Sequence, residues 1–202
     1  MKDILLIGGG GHCHVCVDVI ESEGIYQIKG IVLPNLENSN PVLGYPVIGT
    51  DGDLPQLLKK TSNILIAIGQ IKNFETRKNR FEFIKNHGAN FPIIKSSYAY
   101  CSPHADLGEG TILMHGSIVN SNTKIGVNCI VNNKALIEHD VKIQDHCHIS
   151  TGAIINGGVK IGKGSFVGSG SVIKEGVEIG KHVIIGAGQI VLKNVPNGTT
   201  VK

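Results

Sequence analysis

The chain has 202 residues, enough for one large or two small domains with a proper core. Its formal net charge of +3 is too mild to point to nucleic acid and suits a small anionic ligand. With 27 glycines and only 4% aromatic residues, tight turns must replace a bulky core, and no apolar run reaches the ~18 residues a membrane span needs. The opening segment, one Lys and a short apolar run before four glycines, is too short for a secretory signal, so no membrane insertion is expected. Five cysteines form no even secreted framework, which points to a reducing cytoplasm.

Up to about residue 95, apolar strands alternate with helical stretches. Ile4–Ile7 reads as a buried strand, followed by the Gly8–Gly11 turn and a helix through Val15, Val19 and Ile20. Ile28–Leu33 is a second strand, Leu54–Lys59 a short helix, Ile64–Ile68 a third strand, Phe74–Asn86 a helix, and Phe91–Ile94 a last strand. This alternation implies a small parallel sheet with helices on its faces, whose ligands sit at strand carboxyl ends beside helix N-termini.

Beyond about residue 98 the pattern changes to sixes. An aliphatic residue occupies every sixth position from Leu107 to Val191, and a mostly small residue follows four places after each. Neither a helix nor a plain strand has this period; a hexapeptide coil does. Three hexapeptides make one triangular coil, so residues 18 apart stack at roughly 4.8 Å. The residue before each inward aliphatic points outward. Lys124, Lys142, Lys160 and Glu178 then form a polar face. Ile118, Leu136, Ile154, Val172 and Ile190 form an apolar face, and Ile112, Ile130, His148, Phe166 and Ile184 a second one. Two exposed apolar faces predict a closed oligomer, most simply a trimer, unless the first domain covers one of them.

His148 breaks its apolar column, so it is expected to face a neighbouring subunit or a ligand wedged between subunits. His139, at a coil corner, has small stacked neighbours in Ser121 and Gly157. Asp140 or Glu138 beside it would orient the ring and raise its basicity. Gly8-Gly9-Gly10-Gly11-His12 between strand and helix suits close approach of a phosphate but lacks the third glycine of a dinucleotide fingerprint. Cys13-His14-Val15-Cys16 admits a redox or metal reading, though no second such pair completes a zinc site. Cys129 and Cys147 fall in the small inward column and read as inert core.

A Gly-rich-His turn in a Rossmann-like domain, joined to hexapeptide repeats that carry Ile137-Glu138-His139, resembles the bacterial sugar O-/N-acyltransferases over nearly the whole chain. The resemblance implies an α/β domain at 1–96 and a left-handed parallel β-helix at 97–202. It implies a homotrimer using acetyl-CoA between adjacent β-helices, with no metal, to acetylate the amine of a nucleotide-linked amino-sugar. His139 takes the place of the general base and Asp140 that of its acidic neighbour. His148, Gly157, Ser169 and Ala187 take acetyl-CoA positions. Gly10, Gly11, His12 and Gly69 match the nucleotide site, and Asn132 a sugar contact. Asn35, in Leu33-Pro34-Asn35, stands where relatives carry acidic residues for the base or ribose, which leaves the nucleotide open. Relatives also continue past the last strand with a Gly-x-Pro-Ala tail, whereas this sequence ends at Val201-Lys202, so the contacts to the CoA adenine are expected to differ. The competing readings are a sialic acid O-acetyltransferase, a zinc hydratase using His139, His146 and His148, and a non-catalytic nucleotide-sugar sensor.

Overall fold

The computed structural model describes residues 1–202 except 38, 39 and 72. The first half contains β1 (Lys2–Ile7), α1 (Gly11–Glu23), β2 (Tyr26–Leu33), β3 (Val47–Thr50), α2 (Leu54–Leu57), β4 (Ile64–Ile66) and α3 (Glu75–Asn86). Its four strands are parallel in the order β3-β2-β1-β4. The apolar run of β1 divides by alternation. Ile4 and Leu6 pack with Cys13, Cys16, Val17 and Ile20 of α1 on one side. Leu5 and Ile7 pack with Leu54, Phe81 and Ile84 on the other. Among the described residues, no helix is long and apolar enough to cross a membrane.

The second half is a triangular prism of two-residue strands in three parallel sheets. Residues 18 apart are paired neighbours, as in Ile130 with His148 and Lys124 with Lys142. The inward ladder, from Leu113 and Val119 to Val191, is a single buried core. Each such aliphatic contributes roughly 1.5–3 kcal/mol by burial. Small inward residues earn their place through the corners: the Ser165 hydroxyl donates to the Gly180 carbonyl at 2.8 Å and accepts from the Val183 N–H at 3.0 Å. Both sides of a coil-to-coil step are thereby satisfied without a bulky side chain.

Three expectations need correction. The strand near residue 94 (β5, Ile94–Lys95) does not join the first sheet; it pairs with Ile112–Leu113 and begins the β-helix one coil before the aliphatic series. Ile94 stands 18 residues before Ile112, but the inward positions of that coil, Lys95 and Cys101, are not aliphatic, which hid it. The first sheet instead gains β3, whose Gly49 and flanking Pro46 weaken the strand pattern. Finally, among the described residues only one apolar face is left open. Ile112 and Ile130 are fully buried against the core of the first domain, so the second apolar face is an internal joint and not a surface. The face carrying Ile118, Leu136, Ile154, Val172 and Ile190 is unpartnered, with Ile190 70% exposed.

Candidate active site

A cavity of about 620 Å³ opens at the carboxyl ends of all four strands of the first sheet. Its lining runs from Asp51 after β3, past Val32 and Pro34 at the end of β2 and Gly8–His12 after β1, to Ala67–Gln70 after β4. The floor requires glycine at Gly8: its φ is +105°, and a Cβ there would lie 2.7 Å from Ile68 Cγ1. Over Gly10 and Gly11 a Cβ would meet nothing within 4 Å, so space is free where α1 begins. No side chain caps that helix, which leaves its first N–H groups to an anion. At the β3 edge, Arg80 from α3 pairs with Asp51 at 2.5 Å. Gly69 lines the cavity against the His12 side chain, whereas Asn35 is exposed and the wall beside it is formed by Pro34.

At the opposite edge the cavity meets the β-helix. His148 is 5% exposed and faces the first domain of its own chain, not a neighbouring subunit, because that domain covers its column. Its Nδ1–H donates to the Gln70 carbonyl at 2.5 Å, and its Nε2 accepts from the Asn132 amide at 3.1 Å. The Asn132 oxygen accepts from the Asn133 N–H at 2.7 Å, which sets the amide's orientation. Burial lowers the His148 pKa to about 4, so the ring is neutral in this tautomer. His12, whose ring centre lies 6.4 Å from that of His148, is lowered to about 3, first by burial and then by Arg77 and His148. Its buried Nε2 has no partner among the described residues. Arg77 is fully buried; it donates to the Ile66 and Ile68 carbonyls, the latter at 3.0 Å, and to the Asn128 carbonyl of the β-helix at 3.4 Å. Burial pushes its pKa down to about 10.

A second, open hollow of about 590 Å³ lies at the corner between the open apolar face and the polar face, lined by Glu138, His139, Asp140, Asn156, Gly157 and Glu175 among others. It shares no lining residue with the first cavity. His139 Nδ1 meets Asp140 Oδ2 at 2.7 Å, which leaves Nε2 as the ring's free acceptor. Asp140 sits at the left-handed corner position (φ +62°), a conformation that Asp tolerates, and receives a second hydrogen bond from the Asn122 amide. Those two hydrogen bonds, from His139 and then Asn122, hold its carboxyl below the ordinary carboxylate range. Gly157 makes room for the ring: a Cβ there would lie 2.9 Å from both Cε1 and Nε2 of His139. Glu138, the other carboxylate considered, accepts from the Asn120 amide at 3.0 Å instead.

The predicted residues therefore fall into separate places within one chain. Gly10, Gly11, His12, Gly69 and His148 share the first cavity, with Asn132 behind His148. His139, Asp140 and Gly157 share the second hollow. Ser169, bonded to Ser150 at 2.9 Å, and Ala187 stand on a third stretch, the corner between the covered and open faces. Cys13 and Cys16 are buried; burial pushes the Cys13 thiol up to about 12 and the Cys16 thiol higher, so neither is a ready thiolate. Cys129 and Cys147 lie in the β-helix core. The histidines of the zinc reading are held apart: His146 bonds Asn128 at 3.0 Å, His148 faces Gln70, and His139 faces Asp140. Asn122 was legible in the register of eighteen, one coil before Asp140, and was missed. Arg77, Gln70 and the Asp51–Arg80 pair gave no local signal, since only the packing of α3 and the two domains brings them to the cavity.

Among curated proteins none matches the chain. The PglD N-terminal domain family matches residues 3–84, and the bacterial transferase hexapeptide (six repeats) family matches 140–175 and 158–188. A histidine-to-asparagine variant of perosamine N-acetyltransferase from Caulobacter crescentus, solved with CoA and GDP-perosamine, is 30% identical with a TM-score of 0.92, over 99% of this chain and 93% of that one. The acetyltransferase domain of PglB from Neisseria gonorrhoeae, solved with acetyl coenzyme A, is 30% identical with a TM-score of 0.91, over 98% and 95%. WeeI from Acinetobacter baumannii is 26% identical with a TM-score of 0.86, over 100% and 97%. With a Gly-turn cavity, a histidine–carboxylate corner and this likeness along its whole length, the chain belongs to the bacterial hexapeptide-repeat family of CoA-dependent sugar N-acetyltransferases.

Proposed function

We propose that the protein transfers the acetyl group of acetyl-CoA to the amine of a nucleotide-linked amino-deoxysugar, with His139 as general base. The observation that carries this reading is the His139–Asp140 pair at 2.7 Å, with the ring's Nε2 edge over Gly157 in an open hollow. The diphosphate would lie over Gly10, Gly11 and the start of α1, and the sugar would extend toward the β-helix. His139 Nε2 takes a proton from the amine as its nitrogen bonds the thioester carbonyl carbon. Collapse of the tetrahedral intermediate breaks the C–S bond, and the CoA sulfur leaves with that proton. Such base assistance is worth ~10²–10⁴-fold, and holding both substrates in place contributes more.

In a single chain the nucleotide cavity and His139 are on different faces. Both corners that border the open apolar face carry predicted acetyl-CoA residues, Gly157 on one and Ser169 and Ala187 on the other. A threefold axis on the side of that face sets one corner against the other corner of the next subunit. The partner subunit's His139 then comes beside the Ser169 corner and the cavity of its neighbour, and the apolar face is buried. The proposed enzyme is thus a homotrimer with each site shared between two subunits. The test follows CoA release with a panel of nucleotide-linked amino-sugars and with free sialic acid. Turnover of an amino-sugar is expected; turnover of no amino-sugar would sink the proposal. In His139→Ala, kcat should fall ~10²–10⁴-fold with nucleotide binding kept. An unchanged rate would show that another group serves as base.

A further inference from the structure

We infer that the cavity selects its nucleotide by the base and is built for guanine, read by the Asp51–Arg80 pair. This rests on the nucleotide-sugar reading of the cavity. The pocket spans the row β3-β2-β1-β4, so its two ends lie three strand spacings apart, about 14 Å. The anion-binding turn is inside that row, after β1. His148 and Gln70, where the cavity meets the β-helix, mark the β4 end. A diphosphate held at the turn sends its two substituents in opposite directions. The sugar must go toward the β-helix to be acetylated, which leaves the base to the β3 end.

At that end the walls include apolar Val32 and Pro34, and the charged groups are Asp51 and Arg80, with side chains 22% and 31% exposed. Their mutual contact at 2.5 Å leaves capacity on both: a carboxylate offers about four lone-pair sites and a guanidinium five N–H donors. Side by side they present a donor followed by acceptors. The Watson–Crick edge of guanine presents the complement, the O6 acceptor and then the N1–H and N2–H donors, so Arg80 faces O6 and Asp51 takes both N–H groups. Uracil and thymine place a second carbonyl where guanine has its amino group, and that oxygen would face the carboxylate. Adenine and cytosine offer the carboxylate a single amino group in place of two adjacent N–H groups, so each makes fewer hydrogen bonds with the pair.

Titration calorimetry with plain nucleoside diphosphates tests this without acetyl transfer. GDP should bind about 10–100-fold more tightly than UDP or dTDP, and IDP, which lacks the 2-amino group, about tenfold more weakly than GDP. Asp51→Asn should weaken GDP and, by removing the carboxylate that faces the second pyrimidine carbonyl, tighten UDP, so that the GDP preference is lost while inorganic pyrophosphate binding is unchanged. UDP or CDP binding as tightly as GDP would overturn the proposal, and that ranking needs no variant. So would an Arg80→Ala effect equal for GDP, UDP and pyrophosphate, which would make Arg80 a phosphate clamp. A GDP preference without acetyl transfer would count against the enzyme reading alone, whereas acetyl transfer with a UDP preference would count against the guanine assignment alone.

Discussion

His12, His146 and His148 are kept neutral by burial, with pKa values lowered to about 3, 4 and 4. In the unfolded chain each would titrate near the ordinary histidine value of about 6.5. Below that pH the unfolded chain binds protons that the native state refuses, so stability is full above about pH 6.5 and falls as the pH drops toward 4. At pH 5 this costs on the order of 1–2 kcal/mol per ring. The thermal midpoint is therefore expected to fall by several degrees between pH 7 and pH 5; a flat profile over that range would contradict the buried neutral state. The same residues show what a single position can reveal. His139 was readable as a corner histidine beside a carboxylate because both features are local. His148 was readable as an exception in its column, but its partner Gln70 is 78 residues away, and no local pattern reveals which surface meets that column.

Among the elements, α3 shows the limit of periodicity. Its apolar positions Phe81 and Ile84 predict a helix packed on a sheet, as observed, yet its most consequential buried residue is charged. Arg77 holds the carbonyls where β4 ends and the cavity wall begins, and it reaches across to Asn128 of the β-helix. Truncation to Ala would leave those buried acceptors unpaired and a void in the joint between domains. Arg77→Ala is expected to lower stability by about 2–4 kcal/mol and to weaken nucleotide binding with it, measurable by urea unfolding and calorimetry. A loss under about 0.5 kcal/mol would mean that water replaces the guanidinium at no cost. β5 shows the opposite limit: its coil lacks aliphatics at the inward register positions Lys95 and Cys101, so its sequence resembles the preceding domain although it pairs with Ile112–Leu113.

For the whole molecule, the decisive surface is the single open apolar face. Ile118 and Ile190 are 39% and 70% exposed on it, while Ile112 and Ile130 of the other apolar column are buried against the first domain. A charge at its centre would be buried unpaired in a trimer but would cost little in a monomer. Val172→Glu should therefore yield a folded monomer by light scattering that still binds nucleotide in its own cavity but no longer transfers acetyl groups. A trimeric, active Val172→Glu protein would place the interface elsewhere. The sequence by itself determined the coil, its three columns, the corner histidine and the glycine turn between strand and helix, because each depends on spacing along the chain or on immediate neighbours. The tertiary structure decided which apolar column is a joint and which a surface, what His148 touches, and that Asp51 and Arg80 face one another. Those facts depend on how α3 packs and how two separately patterned domains dock, and contacts between residues remote in sequence leave no period to read.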